Sequence, residues 1–287
     1  MRPLPVGDSA LYVMDLSGFL VRAFKVRGNQ RWAHRAVLDA ARKVVGGPRA
    51  PGFFAAALDL PGRTFRHDLS LAYKATRKDD APAYEHALLL EQQRWAVEAL
   101  WDGLGVRSVG AAGFEADDVV ATLCARARSS GMDVVVMAYD KDFAQLVDRR
   151  TVLWDGKQRV RGEAEVFDEF GVEPRQFVDY LALVGDKSDN VRGVRGVGPE
   201  GAKRLLQHFD TLDAALSYSP TPGDEPLWAS WHKSSAGQVY QRVLDGRADA
   251  MAARELVRLR TDVPLPFEWL DELKLEVAEK SASGEQE

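Results

Sequence analysis

The chain has 287 residues, 46% hydrophobic and 28% charged, with a formal net charge of -5. That is enough apolar material for a sizeable core in one large domain or two, and the acidic balance argues against a generic nucleic-acid coat protein. A single cysteine, Cys124, excludes an intrachain disulfide and predicts a reducing, cytoplasmic setting; the start MRPLPVGDSA lacks an apolar leader, and no apolar run reaches the length of a membrane span.

Residues 10–14 (ALYVM) read as a short buried strand closing at Asp15, and LSGFLVRAF then opens a helix bearing Arg22. A weak helical pattern covers 33–45, GGPRAPG marks a loop, and FFAAALDL (53–60) is the next short run, ending near Asp59. Strand followed by helix, repeated, predicts an α/β fold with a mostly parallel sheet flanked by helices. In such sheets ligands bind beyond the carboxyl ends of the strands. Residues 61–83 turn basic: Arg63, Arg66, Lys74, Arg77 and Lys78 alternate with Phe65 and Tyr73, and Tyr84 follows. That segment reads either as a solvated loop or as a mobile stretch that grips phosphates by charge and bases by stacking.

A convincing helix at 84–101 and a short strand at 106–110 lead to GFEADDVVATL, where Glu115, Asp117 and Asp118 precede a helix running to residue 129. Acids favour the first turn of any helix, so this cluster alone decides nothing. It is joined by Asp140 and Asp142, after the strand DVVVMAY, and by Asp186 and Asp189 in VGDKSDN. TVLW (151–154) and KQRVR (157–161) are expected to pair across Asp155-Gly156, and a helix QFVDYLALVG follows Pro174. Then comes NVRGVRGVGPEGAKRLL. Gly193, Gly196 and Gly198 permit a tight turn into a helix begun by Pro199, with Arg192, Arg195, Lys203 and Arg204 around it. Such a turn offers bare N–H groups to an anion, as in a helix-hairpin-helix that clasps a DNA backbone; an ordinary helix corner is the alternative. Beyond residue 216 the signal fades: Trp228 and Trp231 are expected to pack on neighbouring helices, 236–260 reads as helical, and SASGEQE is polar.

The nine acids Asp15, Asp59, Glu115, Asp117, Asp118, Asp140, Asp142, Asp186 and Asp189 repel one another if they meet, and the sequence supplies too few nearby cations to neutralise them all. An all-oxygen donor set suits Mg²⁺ or Mn²⁺, while one cysteine and five histidines without ligand spacing argue against zinc. Two such ions would clamp a phosphodiester for in-line hydrolysis. No GxxxxGK[ST] loop supports nucleotide hydrolysis.

The segments MDLSGFLVRAF, ALDLPGRTFRH, AYKATR, GFEADDVVATL, AYDKDFAQLV and VGDKSDNVRGVRGVGPEGAKRLL, in that order, resemble the bacterial and phage 5′-nuclease family, from about residue 10 to about 265. That family includes the 5′→3′ exonuclease domain of DNA polymerase I and the flap endonucleases. The resemblance implies a PIN-like core over residues 1–175 with an arch at about 62–95, a helix-three-turn-helix (SAM-like) region at 176–270, and a polar tail at 271–287. It implies two or more Mg²⁺ or Mn²⁺ ions. One is served by Asp15, Asp59, Glu115, Asp117 and Asp118, the other by Asp140, Asp142, Asp186 and Asp189. Arg22, Lys74 and Arg77 match the basic positions near the scissile phosphate, with Arg66 and Tyr73 in the DNA-contacting arch. The turn from Gly193 to Gly198 matches the duplex-binding turn, which in relatives also holds K⁺ through backbone carbonyls. The implied activity is a monomeric, stand-alone 5′→3′ exonuclease or flap endonuclease acting on flaps, nicks, gaps and RNA–DNA junctions. Three other readings stand beside it: a DNA-binding protein that has lost cleavage, a PIN-type ribonuclease, and a toprim-like enzyme. Leu16 stands where the family usually has glycine.

Overall fold

The computed structural model describes residues 4–5, 7–26, 30–47, 50–75, 83–219, 235–267 and 270–275. Its centre is a six-stranded sheet ordered β3-β2-β1-β4-β5-β6. The strands are β1 (Gly7–Asp15), β2 (Pro51–Ala57), β3 (Arg107–Val109), β4 (Asp133–Met137), β5 (Thr151–Trp154) and β6 (Val160–Arg161). All neighbours run parallel except β5 and β6. The order reverses between β1 and β4, so the crevice above that pair is the expected ligand position.

The central strands are apolar on both faces, because both faces are covered. Leu11, Val13, Ala55, Val134, Val136 and Leu153 face one core. Their neighbours Tyr12, Met14, Phe54, Val135, Met137 and Val152 face the other. The second core is closed by α1 (Leu16–Phe24), α2 (Ala33–Val45) and α4 (Ala83–Leu104), which contribute Leu16, Leu20, Val37, Leu38, Ala96 and Leu100. Leu16 is wholly buried there as a core residue. The first core is closed by α5 (Ala116–Ser129) and continues into the C-terminal helices. These are α7 (Phe177–Val184), α8 (Pro199–Phe209), α9 (Leu212–Ser217), α10 (Ser235–Asp245) and α11 (Arg247–Val257). The short helices α3 (Phe65–Leu69) and α6 (Glu163–Phe170) complete the chain order. Among the described residues no helix is long and apolar enough to cross a membrane.

Several expectations are corrected. The β5–β6 connection spans residues 155–159 rather than two, held by Asp155 Oδ1, which accepts from the Lys157 and Arg159 amides at 2.9 and 3.1 Å. The 236–260 region is two helices, broken at Gly246. The segment after Asp140, which reads in sequence as the opening of a helix DFAQLV, forms a short 3₁₀ turn over Asp142–Leu146. Residues 270–275, placed mostly in the polar tail, instead return to the sheet. Lys274 bridges to Phe53, the Leu275 amide donates to the Gly52 carbonyl at 2.9 Å, and Leu273 and Leu275 are buried. Trp228, Trp231 and the SASGEQE tail lie outside the described residues.

A two-stranded hairpin, β7 (Gly185–Asp186) and β8 (Val191–Arg192), links α7 to α8. Gly193 is required for contact rather than for turning alone: a Cβ there would stand 2.4 Å from the Gly185 nitrogen and from the Leu183 carbonyl oxygen. Gly193→Ala is therefore expected to cost ~1–3 kcal/mol of overpacking strain. Thermal denaturation would read it as a Tm lower by several degrees; an unchanged Tm would mean that the backbones part freely.

Candidate functional site

Asp15 ends β1, Asp59 follows β2, and Asp140 and Asp142 follow β4, so these acids gather at the carboxyl pole of the sheet. Glu115, Asp117 and Asp118 reach the same pole from the N-terminus of α5. Each is set by local chemistry. Asp15 caps α1, its Oδ1 accepting from the Gly18 amide at 2.9 Å. Gly18 is obligatory, since a Cβ there would lie 2.0 Å from Asp15 Oδ2. Asp59 is anchored at both ends: its amide donates to Ser17 Oγ at 2.9 Å, and its Oδ1 accepts from the Ala116 amide at 2.8 Å. Asp140 Oδ1 accepts from the Asp142 amide at 3.0 Å.

The acids sense one another. Burial, then the charges of Asp15, Asp140, Asp59 and Glu115, push the Asp117 carboxyl well above its ordinary range. Asp15 is pushed up to about 7 by burial and, against the Gly18 hydrogen bond, by Asp59 and Asp140. Asp142 is also pushed up to about 7, by burial and the Asp140 charge. Glu115, Asp117, Asp142, Asp186 and Asp189 line one small cleft, so both halves of the expected ligand set border the same space.

Three cations enter this pole, more than the sequence led one to expect. Lys74 Nζ donates to Glu115 Oε1 at 2.6 Å and lies 3.8 Å from Asp189 Oδ2. Lys141 Nζ donates to Asp142 Oδ1 at 3.1 Å and to Asp186 Oδ2 at 2.5 Å. Burial would raise the Asp186 carboxyl, but Lys141 and Ser188 outweigh it and hold it below the usual range. The third cation, Arg66, is fully buried. Among the described residues, no three His, Cys, Asp or Glu side chains stand at ligand spacing. The basic groups hold several of the acids in ion pairs of their own.

Arg66 corrects an expectation. It does not face DNA: all five of its N–H donors are spent inside the protein. Nη1 donates to Asp118 Oδ2 at 2.6 Å and Glu115 Oε2 at 3.2 Å. Nη2 donates to Asp118 Oδ1 at 2.8 Å and the Arg258 carbonyl at 3.0 Å, and Nε to the Leu256 carbonyl at 2.8 Å. Asp118 is corrected with it. Its oxygens also accept from the Glu115 amide at 3.1 Å and the Arg260 amide at 2.9 Å, which fills all four acceptor positions and leaves none for a metal. Tyr73 is likewise buried rather than DNA-facing. Its hydroxyl lies 2.8 Å from Glu115 Oε2 and 3.0 Å from Asp189 Oδ2. The 61–75 stretch is thus docked through Thr64, Arg66 and Tyr73, while Arg63, Leu69 and Leu71 stay exposed; residues 76–82 lie outside the described residues.

Arg22 is exposed and stacks over Tyr139, 4.1 Å from the ring centroid, beside Asp140. Arg77 lies outside the described residues. Lys74 has φ 54 and Asn190 φ 55, both left-handed, and they meet: the Lys74 amide donates to the Asp189 carbonyl at 2.8 Å, and Asn190 Nδ2 to the Ala72 carbonyl at 2.7 Å. At the glycine turn Arg192, Arg195 and Arg204 are exposed, while Lys203 pairs with Glu200 at 2.9 Å. Gly198 caps α8 ahead of Pro199. Gly196 has φ 76, and its carbonyl accepts from Arg242 Nη1 at 2.7 Å. Lys141, Ser188, Asn190 and Arg242 were missed from sequence. Lys141 and Ser188 carried a signal, each lying between two of the acids.

Breaking the Arg66 cluster leaves a buried charge uncompensated. Arg66→Ala is expected to cost ~3–5 kcal/mol in urea denaturation, and adding Asp118→Leu to recover part of the loss. A single variant as stable as the parent would remove the cluster's structural role.

Comparison with known proteins agrees with this architecture. The model of the 5′-3′ exonuclease N-terminal resolvase-like domain matches residues 10–171, and that of the 5′-3′ exonuclease C-terminal SAM fold matches 172–281. DNA polymerase I of Rhizobium leguminosarum is 34% identical over 93% of this chain and 26% of the relative. A 5′-3′ exonuclease of Mycoplasmopsis pulmonis is 30% identical over 74% of this chain and 66% of the relative. The chain therefore spans about a quarter of the length of the polymerase it matches. The bacteriophage T5 flap endonuclease, solved as a pseudo-enzyme-product complex with DNA and metal ions, superposes with a TM-score of 0.70 at 20% identity, covering 88% of this chain and 90% of that one. With the fold shared and both halves matched, the chain belongs to the 5′-3′ exonuclease family.

Proposed function

We propose that this chain is a divalent-metal-dependent 5′-nuclease, a 5′→3′ exonuclease or flap endonuclease that hydrolyses phosphodiesters of flapped, nicked or gapped DNA to leave 5′-phosphates. The observation that carries the reading is geometric: Asp15, Asp59 and Asp140 stand at the carboxyl ends of parallel strands, and Glu115, Asp117, Asp142, Asp186 and Asp189 line one cleft there. Work as a cytoplasmic monomer, and action on RNA–DNA junctions, belong to the same proposal.

The donor set fits Mg²⁺ or Mn²⁺. Asp15, Asp59, Asp117 and Asp140 offer only oxygen, and their repulsion calls for positive charge beyond what Lys74 supplies. Glu115, Asp142, Asp186 and Asp189 would complete the set across the cleft, while Asp118 serves only through Arg66. Ions held there would polarise the scissile phosphodiester and favour ionisation of the attacking water. Lys74, locked at φ 54 on the Asp189 backbone, brings an ammonium to where charge builds on the phosphate. Arg22, stacked on Tyr139, adds a second positive group at the rim, and Arg77 is assigned the same role. Arg192, Arg195 and Arg204, with the turn from Gly193 to Gly198, would hold the duplex backbone. Potassium on the carbonyls of the turn from Gly193 to Gly198 belongs to the same proposal, with the Arg242 guanidinium sharing the Gly196 carbonyl.

Asp140→Ala is expected to lower cleavage of a 5′-labelled flap by at least about 100-fold while leaving its DNA affinity nearly unchanged. Loss of affinity equal to the loss of rate would mean that Asp140 is structural. A second test needs no substrate. Asp15 and Asp142, with folded values of about 7, bind protons more tightly than in the unfolded chain. Without divalent ions, their contribution to stability falls as pH rises from about 4 through 7. A cation binding the ionised carboxylates offsets that fall, so Mn²⁺ should raise Tm more at pH 8 than at pH 6. Equal shifts at both pH values would place the ion elsewhere.

A further inference from the structure

The segment that leaves α11 is held from two sides by side chains. A helix ends with carbonyls that have no partner within it. At the end of α11 the Leu256 carbonyl accepts from Arg66 Nε at 2.8 Å, and the Val257 carbonyl from Gln145 Nε2 at 3.1 Å. The alternation continues into the extended residues beyond, where successive positions face opposite ways. The Arg258 carbonyl accepts from Arg66 Nη2 at 3.0 Å, the Leu259 amide donates to Gln145 Oε1 at 3.0 Å, and the Arg260 amide donates to Asp118 Oδ1 at 2.9 Å. Gln145 thus does for one side of this strap what Arg66 and Asp118 do for the other. Its Nε2 also donates to the Asp142 carbonyl at 3.0 Å. Two carbonyls and one amide face the group, so it has one orientation.

Each anchor also holds an acid of the cleft. Arg66 Nη1 donates to Glu115 at 3.2 Å, and Gln145 holds the backbone of Asp142. Glu115, Asp142, Leu256, Val257 and Leu259 all line that cleft, so the strap runs along the space the two acids border. We infer that, given the nuclease reading on which this rests, Gln145 is a positioning residue: through the strap it fixes the place of Asp142 relative to Glu115, and with it the spacing of the oxygen donors offered to a divalent ion. Asp142 needs such a support. It opens a 3₁₀ turn, whose hydrogen bonds are poorer than those of an α-helix, and its ion pair is with the adjacent Lys141. Both are local, whereas Gln145 reaches 112 positions along the chain to Val257. A neutral amide makes this link without adding a charge among the acids. An apolar side chain of similar length would fill the space and leave the turn untied from the strap.

A second glutamine provides the reference for the test. Gln176 holds the end of α8 in the same manner: Nε2 donates to the Leu206 and Asp210 carbonyls at 3.2 and 2.9 Å, and Oε1 accepts from the Glu173 amide at 3.1 Å. None of these partners lines the acidic cleft. The full chain is titrated with Mn²⁺ by calorimetry in the absence of DNA. Gln145→Met should raise the dissociation constant roughly 10- to 100-fold, the range seen when a residue that orients a metal ligand is lost. On a 5′-labelled flap it should lower kcat with KM held. Gln176→Met should keep the parent's Mn²⁺ affinity and kcat while lowering Tm. Gln145→Asn, one carbon shorter, should fall between the parent and Gln145→Met, and it replaces Gln145→Met if that variant does not fold. Parent-like Mn²⁺ affinity in the Gln145 variant would overturn the inference, while cleavage by the parent would leave the nuclease reading standing. Equal losses in the Gln145 and Gln176 variants would overturn it as well, since they would mark a general loss of stability. A parent that neither binds Mn²⁺ nor cuts the flap would overturn the nuclease reading and this inference together.

Discussion

A single buried guanidinium holds the two halves of this protein to their common chemistry. Arg66 comes from the short helix after β2, binds two acids at the head of α5, and reaches the carbonyls of Leu256 and Arg258 at the end of α11. Burial works against its charge, but the hydrogen bonds and charge of Asp118, with help from Glu115, more than offset this and raise its pKa. A group in that position cannot be exchanged for a neutral residue without stranding its partners. Three distant parts of the chain are therefore fixed by one side chain, and the orientation of Glu115 follows from it.

The remaining electrostatics divide the acids into two populations. Glu115, Asp118, Asp142 and Asp186 each have a cation in contact. Asp15, Asp59 and Asp117 lie near further carboxylates and are held by backbone amides or by burial. The first population builds the walls. Within the second, Asp15 and Asp117 are raised in pKa by loss of water and by like charge, and there added positive charge is most favourable. The sheet makes this possible, since parallel strands carry their terminal residues to the same pole.

Much of this was legible in the residues. Continuous apolar runs marked the central strands because both faces of β1 and β4 are covered. Acids at the ends of those runs marked the pole. What could not be read was the third dimension of the basic stretch. Arg66 and Tyr73 look like surface groups in a sequence of arginines and lysines, yet their partners lie 42 to 192 positions away. Asp118 was counted as a ligand because spacing does not reveal that four donors surround it. The reason for Gly193 was hidden too: it is the backbone of Gly185, and a contact between two backbones leaves no mark on composition.

The return of residues 270–275 has one more consequence. β3 pairs only with Ala55–Ala57, so the earlier half of β2 would present open amide and carbonyl groups. Lys274 and Leu275 cover that half through Phe53 and Gly52. The last described stretch thus serves as a stopper on a reactive sheet margin, at the end opposite the acids. Edge-to-edge pairing along that half of β2 is blocked at one pole, while the acids gather at the other.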